Sequence, residues 1–239
     1  REMPLRSLIA FGGDSVPDSL VREFNAALEK GGSKARMYIG YGLTETVTVC
    51  LVNTLRHHCP SSIGYPLSNT DVRIYKDGER LPAGEVGEIY LETDQFMLGY
   101  LGEDHAPFAE IDGRKWLKTG DYGWLNEDGF LFFKQRIKNM LKVSGVPVYP
   151  SEIEDAVLSV KGVKKACAVG MDDPVRGQVV KLYVEPDAGA EESALSAEIE
   201  RVCREKLIAY AVPKKIVFRG RLPVNLIGKI DRKQLEEEQ

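Results

Sequence analysis

The hydrophobic pattern at the start of the chain changes from an apolar run to a helical period and back. Residues 5–11 form an apolar run that ends at the turn Gly12-Gly-Asp-Ser-Val-Pro17. Across residues 18–29 the apolar positions recur every three or four residues, and residues 35–39 form a second apolar run. This pattern predicts a strand, an amphipathic helix and a second strand, that is, a β-α-β unit. If the strands are parallel, their carboxyl ends form the usual ligand edge of an α/β sheet.

Between residues 63 and 133 the period changes to the alternation of short strands. Residues 72–75, 87–91 and 129–133 are strand-like, and Asp-Gly, Pro-Ala-Gly and Glu-Asp-Gly turns separate the segments. Such alternation with turn signals is typical of antiparallel structure. We therefore expect a small β-barrel or a curled sheet that packs beside the α/β part.

After Arg136 the pattern becomes α+β. Ser151-Glu-Ile-Glu154 indicates a helix start with Ser151 as N-cap and acidic residues in the first turn. Strands are predicted at residues 164–171 and 179–185, and a second helix at residues 193–206. The chain is thus predicted to be α/β plus α+β, with a domain boundary after residue 135.

Composition narrows the class of partner. With 239 residues and a net charge of −4, the chain lacks the clustered basic excess that a nucleic-acid surface needs. The four cysteines form no CxxC pair, which favours a reducing, cytoplasmic location over a disulfide-stabilised one. No apolar run reaches the ~20 residues of a transmembrane helix. The chain opens on a buried-strand pattern without an initiator methionine, which suggests a cut through a larger protein.

Two segments carry side chains suited to nucleotide chemistry. Thr44 and Glu45 follow a strand and the sequence Gly40-Tyr-Gly42, which is predicted to be a turn. A hydroxyl there can donate to a phosphate oxygen, and a carboxylate can hold Mg²⁺. Asp121, in Thr-Gly-Asp-Tyr-Gly, could accept from two ribose hydroxyls. Taken alone, the first segment is better explained as a turn capped by its Thr, and the second as an ordinary Gly-Asp turn.

Lys229 is the third candidate, in the sequence Gly-Lys-Ile-Asp-Arg near the end of the chain. A lysine on a loop can move its ammonium group into a site. The spacing of a GxxxxGK[ST] phosphate-binding loop is absent, so that interpretation is rejected. Taken alone, a solvated surface charge is the favoured explanation.

The order of the motifs changes these interpretations. Eight segments together resemble, in order and approximate spacing, the signature of the adenylate-forming superfamily, and chance assembly of so many is negligible. They are Gly12-Gly-Asp14, Gly40-Tyr-Gly-Leu-Thr-Glu-Thr46, Gly84-Glu-Val-Gly-Glu-Ile89, Leu98-Gly-Tyr-Leu101, Lys118-Thr-Gly-Asp121, Arg136-Ile-Lys138, Gly145 with Pro150-Ser-Glu-Ile-Glu154, and Gly228-Lys-Ile-Asp-Arg232. The resemblance is greatest to acyl-CoA synthetases. It implies that residues 1–135 end a large α/β and β-barrel AMP-binding domain, and that residues 136–239 form its small, mobile α+β C-terminal domain.

The resemblance implies roles for residues of the first region. Thr44 would contact the phosphate of ATP or AMP, and Glu45 would coordinate Mg²⁺. Both would be catalytic. Tyr41 and the backbone around Gly12 and Gly13 would border the adenine.

It implies further roles around and beyond the boundary. Asp121 and Arg136 would hold the ribose, and catalytic Lys229 would reach the substrate carboxylate and the α-phosphate. Lys138 would be the hinge about which the second domain turns. Lys142, at the start of a segment reaching to Gly145, would line the passage of the coenzyme A thiol.

The implied reaction is ATP-dependent ligation of a carboxylic acid to coenzyme A through an acyl-AMP. The family's phosphate loop lies upstream of these motifs, and nothing in the chain matches it. This chain alone is therefore expected to be inactive without the missing N-terminal portion of the same enzyme. Two alternatives remain: an adenylation domain that loads a carrier protein, and a non-catalytic nucleotide-binding remnant.

Overall fold

A computed structural model describes residues 8–11, 16, 18–101, 107–226 and 228–238. The described residues form two compact units, one that ends at Ile137 and one that begins at Lys138. The sequence places the boundary two residues earlier, after residue 135. Gly12 and Gly13, predicted to border the adenine, lie outside the described residues.

The first sheet of the first unit contains the predicted β-α-β arrangement. Strands β1 and β2 pair in parallel, and helix α1 connects them. The amide of Asn25 on α1 fixes the helix to β2, because it donates to Met37 O at 3.2 Å and accepts from Met37 N at 2.7 Å. Two antiparallel strands complete the sheet in the order β1-β2-β3-β4. The elements are β1 (Leu8–Phe11), α1 (Asp18–Lys30), β2 (Arg36–Gly42), β3 (Val49–Val52) and β4 (Tyr65–Pro66).

The predicted turn at residues 40–42 was wrong, because these residues continue β2. Gly40 pairs with Val52, and Gly42 pairs with Val49 across a bulge. A Cβ on Gly42 would lie 2.3 Å from Thr48 O, and one on Gly40 would lie 3.2 Å from Leu51 O. The glycines therefore permit close approach of β3 rather than a reversal of the chain.

The second sheet of the first unit is antiparallel, as the alternation predicts. Its order is β10-β9-β7-β5-β6, with β8 paired to β9. Among the described strands, β10 and β6 lie at the two ends of this order, and Gly64 bridges to Leu131 of β10. This half-barrel sheet agrees with the small barrel or curled sheet that the alternation predicts. The strands are β5 (Thr70–Lys76), β6 (Glu79–Arg80), β7 (Gly87–Thr93), β8 (Phe108–Ile111), β9 (Arg114–Leu125) and β10 (Leu131–Arg136).

One hydrophobic core joins the two sheets of the first unit. Leu51 on β3 is fully buried and belongs to the same cluster as Ile89 on β7 and Leu117 on β9. Burial alternates strictly along β7, and this alternation places Ile89 and Leu91 in the core. The strands that carry the candidate site residues are thereby held to each other.

The second unit is the predicted α+β domain. Its sheet has the order β12-β11-β14-β13, and β15 pairs in parallel with β14. Helices α2 and α3 cover the sheet, and Ile153, Val157 and Ile199 are buried against it. The elements are β11 (Leu141–Val143), β12 (Val146–Val148), α2 (Pro150–Leu158), β13 (Val163–Asp173), β14 (Gly177–Pro186), α3 (Glu192–Lys206), β15 (Lys215–Phe218) and α4 (Arg232–Glu237).

The start of α2 differs from the prediction. Tyr149 occupies the N-cap position but its side chain does not cap the helix, and Pro150 is the first helical residue. Ser151 lies inside the helix, so its assignment as N-cap was wrong. A proline suits the first helical position, because the N–H that it lacks would have no partner within the helix. None of the helices in the described part of the chain has the length and apolar character needed to cross a membrane.

Candidate nucleotide site

Three predicted site residues meet at one carboxylate of the first unit. The hydroxyl of Tyr41, near the end of β2, donates to Asp121 Oδ2 at 2.6 Å. Arg136, the last residue of β10, lies opposite Asp121 in the β9–β10 register, and its Nε is 3.3 Å from Asp121 Oδ1. Each oxygen of the carboxylate therefore has a different charged or polar neighbour.

Burial keeps the hydroxyl of Tyr41 protonated. Asp121 is only 1% exposed. Burial, together with the negative charge and the hydrogen bond of Asp121, raises the pKa of Tyr41 well above its ordinary value. Tyr41 consequently keeps its proton at neutral pH and acts as a donor, which fixes the orientation of the Asp121 carboxylate.

The backbone before Asp121 is held by strand β7. Thr119 Oγ1 donates to Ile89 O at 2.7 Å and accepts from Asp121 N at 3.1 Å. Gly120 has a φ of +68° and donates its N–H to Glu88 Oε1 at 3.3 Å. Burial raises the pKa of Glu88. Glu88 was missed as a site residue, although it lies within the motif Gly84-Glu-Val-Gly-Glu-Ile89.

Thr46 holds the loop that presents Thr44 and Glu45. Residues 44–46 form a 3₁₀ turn after β2, and Thr46 is fully buried. Its Oγ1 accepts from Leu43 N at 3.0 Å and lies 3.0 Å from both Leu43 O and Thr48 O. Thr44 is exposed and Glu45 is half-buried. The last Thr of Gly-Leu-Thr-Glu-Thr is therefore structural, a distinction that the motif alone does not provide.

Glu45 faces a cleft that adjoins the Asp121 cluster. The Tyr100 hydroxyl donates to Glu45 Oε1, and Met97 N donates to Glu45 O at 2.9 Å. The cleft is open and has a volume of about 490 Å³. Its lining includes Glu45, Glu88, Tyr100, Lys118, Thr119 and Gly120.

Glu45 is a single carboxylate, which limits how a metal ion could bind there. Among the described residues, no three His, Cys, Asp or Glu side chains cluster as a metal site would require. Magnesium is commonly held by one or two carboxylates together with substrate phosphates and water. Glu45 therefore fits a Mg²⁺ ion that arrives with a nucleotide, rather than an ion bound by the protein alone.

The remaining candidates belong to the second unit. Lys138 is its first residue and lies in the 3₁₀ turn Ile137–Asn139. Lys142 is exposed on β11, next to the two-residue turn Ser144-Gly145 that leads to β12. Lys229 is half-buried on a hairpin in which Val224 pairs with Ile230. The structure brings Tyr41, Asp121 and Arg136 into contact, and it places these three lysines in the other unit.

Two family models match the chain in this order. The model of the AMP-binding enzyme matches residues 2–101, and that of the AMP-binding enzyme C-terminal domain matches residues 152–229. The chain belongs to the adenylate-forming superfamily. This confirms the resemblance drawn from the motifs, and the adenylate-forming fold explains the α/β and α+β units found here.

Curated relatives in the superfamily are ligases. The long-chain-fatty-acid–CoA ligase of Haemophilus influenzae is 37% identical over 204 residues, which cover 84% of this chain and 35% of that protein. The enzyme of the same name from Bacillus subtilis is 36% identical over 232 residues, which cover 95% of this chain and 40% of that protein. The chain thus spans well under half the length of these adenylate-forming relatives.

A solved adenylate-forming enzyme shares the fold. The o-succinylbenzoate CoA synthetase of Bacillus subtilis, in complex with its acyl-adenylate intermediate, superposes with a TM-score of 0.81 at 30% identity. The match covers 95% of this chain and 45% of that one. Another structure of that synthetase holds ATP and a magnesium ion.

Proposed function

We propose that this chain is the C-terminal part of an AMP-forming acyl-CoA synthetase, an ATP-dependent acid–thiol ligase. The observation that carries the proposal is the buried Asp121 carboxylate held between Tyr41 and Arg136, in a chain that both AMP-binding models match. A carboxylate with fixed orientation is a suitable acceptor for the hydroxyls of a ribose. Preorganised polar groups of this kind lose little free energy to rearrangement on binding.

The reaction has two balanced steps. In the first, a carboxylate oxygen of the acid bonds to the α-phosphorus of ATP, and the bond to pyrophosphate breaks, so acyl-AMP and pyrophosphate form. In the second, a thiol sulfur bonds to the acyl carbon, AMP leaves, and the thiol proton is released. The net products are an acyl thioester, AMP and pyrophosphate.

In the first unit, the loop after β2 would bind the phosphate groups of the nucleotide. Thr44 is exposed and can donate to a phosphate oxygen, and the Glu45 carboxylate is oriented by Tyr100. Glu45 would hold the Mg²⁺ ion that accompanies ATP. When bound, that ion supplies positive charge to the phosphate oxygens.

Three lysines of the second unit would have roles in the reaction. Lys229 would stabilise negative charge on the α-phosphate during the first step, and Lys142 would lie on the path of the thiol. Lys138 would be the hinge, a role supported by its place as the first residue of the second unit. Loop or terminal residues commonly absorb the backbone change in such domain motions.

Coenzyme A and a carboxylic acid complete the proposed substrates. Because the two curated relatives are named for long-chain fatty acids, we propose acids of that class as the first to test.

The four cysteines are all free thiols, which supports the proposed cytoplasmic location.

Acid-dependent ATP–pyrophosphate exchange tests the proposal. The assay compares the 239-residue chain with the protein that also contains the upstream region, using long-chain, short-chain and aromatic acids. We expect exchange only with the upstream region, because the family's phosphate loop lies there. Exchange in neither sample would favour the non-catalytic remnant, and transfer to a carrier protein but not to coenzyme A would identify the other alternative.

A variant of Lys229 separates the two steps. In the protein with the upstream region, Lys229→Ala is expected to lower acyl-AMP formation by roughly 10²–10³-fold, which is typical for loss of one well-aimed stabilising donor. Thioester formation from supplied acyl-AMP should be spared. Equal loss of both steps would contradict the proposed role of Lys229.

A further inference from the structure

Lys229 lies on the tip of a short hairpin near the end of the chain. Val224 and Ile230 form an antiparallel bridge, and Asp231 N donates to Pro223 O at 2.9 Å. Gly228 N donates to Asn225 O at 2.9 Å, which closes the turn. The two arms are therefore paired from Pro223 to the turn.

Asn225 contacts both backbone polar groups of Lys229. Its own N–H donates to Lys229 O at 2.8 Å, and its side-chain Oδ1 accepts from Lys229 N at 3.0 Å. An asparagine side chain that binds a nearby backbone N–H is a common way to stabilise a turn. Here the bound N–H belongs to the candidate catalytic residue itself.

The base of this hairpin is fixed to the body of the second unit. Leu222 is buried, and its N–H donates to Glu185 Oε2 at 2.9 Å. On the other arm, Asp231 accepts from Gln234 N at 3.1 Å and so caps α4, whose Leu235 is fully buried. The tip is unlike the base, since Leu226 is wholly exposed. Beyond the bridge, the Asn225 contacts hold the Lys229 backbone to this rigid base.

We propose that Asn225 is a positioning residue that holds the Lys229 backbone, and so aims its ammonium group, for the acyl-AMP-forming step. The inference rests on the proposed function, because that is where Lys229 acts. The essential atom is Oδ1, the acceptor for Lys229 N. An aspartate retains this acceptor and an alanine removes it.

The experiment measures single-turnover rates of the two steps in the protein with the upstream region, at saturating ATP and acid. For Asn225→Ala we expect acyl-AMP formation to slow about five- to tenfold, with little change in the KM for ATP, because a modest positioning contact is lost. Thioester formation from supplied acyl-AMP should keep its rate. Asn225→Asp should recover acyl-AMP formation to within about threefold of the parent rate, since it keeps the acceptor.

Leu226→Ala is the matched control, because it changes the same turn but removes only an exposed side chain. It should leave both rates unchanged. The proposal is overturned if Asn225→Ala retains the parent rate of acyl-AMP formation, if it slows both steps equally, or if Asn225→Asp is as slow as Asn225→Ala.

Hydrogen exchange at the Lys229 amide separates this inference from the proposed function. We expect faster exchange in Asn225→Ala and parent-like exchange in Asn225→Asp, whether or not the protein is active. An unchanged exchange rate of the Lys229 amide in Asn225→Ala would overturn the positioning role of Asn225 alone. A parent protein without acid-dependent pyrophosphate exchange would instead overturn the proposed function, and with it the catalytic part of this inference.

Discussion

Arg232 Nη2 lies 2.7 Å from Glu154 Oε1, which joins two motifs that are 78 positions apart in the chain. The same oxygen accepts from Ala168 N at 2.8 Å, and Arg232 also donates to Ala168 O. Both side chains are mostly buried, at 22% and 17% exposure. The pair thereby fixes the start of α4 to α2 and β13, directly after the Lys229 hairpin.

Removing only the cation of this pair should destabilise the second unit strongly. Arg232→Met would leave the Glu154 carboxylate buried without its counterion, at a cost of about 3–5 kcal/mol in the free energy of unfolding. Replacing both residues, by Arg232→Met with Glu154→Leu, should cost less than Arg232→Met alone. Urea unfolding of the chain measures this difference in stability. Hydrogen exchange in β13 and α4 then shows whether the loss lies in the second unit.

Arg204→Met serves as the control for that experiment. Arg204 pairs with Glu200 on the exposed surface of α3 at 3.0 Å, and exposed pairs contribute little. The urea midpoint of Arg204→Met should match that of the parent chain. A double variant less stable than Arg232→Met would show that the ion pair is not the reason for the loss.

The motifs name candidate residues, but they do not say what each residue does in the structure. Thr44, Glu45 and Thr46 are neighbours in one motif, yet only burial distinguishes the structural Thr46 from the exposed Thr44. The contact between Tyr41 and Asp121 spans 80 positions, so local periodicity carries no information about it. It depends on how two sheets share one core.

The sequence predicted strands and helices well where one hydrophobic period continues over many residues. The second helix was expected at 193–206 and is α3, Glu192–Lys206. The prediction failed where glycine has two possible meanings. Gly40 and Gly42 are compatible with a turn or with a close approach between strands, and the sequence favours the turn. The close approach becomes visible only when β3 is placed beside them.

Glu185 should make the second unit sensitive to acid. Burial opposes its ionisation, but the hydrogen bond from Lys164 Nζ at 2.7 Å and the one from Leu222 N at 2.9 Å outweigh this and lower the pKa of Glu185 below 4.5. A lowered pKa in the folded state adds stability above pH 4.5, and this stability is lost as the pH falls through the folded-state pKa. Glu185→Gln removes that contribution.

We therefore expect the stability difference between the parent chain and Glu185→Gln to be largest near neutral pH and to shrink below about pH 4.5. Urea midpoints from pH 3 to pH 7 for both proteins measure it. Other carboxylates also titrate in this range, so the difference between the two proteins, rather than either curve, is the test. A difference that stays constant with pH would contradict the assignment.

Tyr41→Phe should separate the hydroxyl from the ring. The substitution removes the hydrogen bond to the buried Asp121 carboxylate and keeps the aromatic surface, so we expect a loss of about 1.5–3 kcal/mol in the stability of the first unit. Both tryptophans, Trp116 and Trp124, lie in this unit, so their fluorescence reports its unfolding. In the protein with the upstream region, the KM for ATP should rise.

Tyr38→Phe is the control on the same strand, because Tyr38 packs against His58 with a ring separation of 5.0 Å. It should change neither quantity appreciably. If Tyr41→Phe and Tyr38→Phe behave alike, the Tyr41 hydroxyl does not orient Asp121.

Gly42 and Gly40 provide the most direct test of the close approach between β2 and β3. Alanine at Gly42 would place its Cβ 2.3 Å from Thr48 O, so the β3 backbone or the 44–46 loop must move. Alanine at Gly40 would place its Cβ 3.2 Å from Leu51 O, a tight contact that a much smaller shift relieves. We expect Gly42→Ala to cost about 1–3 kcal/mol, typical of overpacking, and Gly40→Ala to cost clearly less. The displaced loop carries Thr44 and Glu45, so Gly42→Ala should also slow pyrophosphate exchange in the protein with the upstream region. Equal stability and equal exchange for the two variants would mean that β2 and β3 do not approach as closely as this geometry requires.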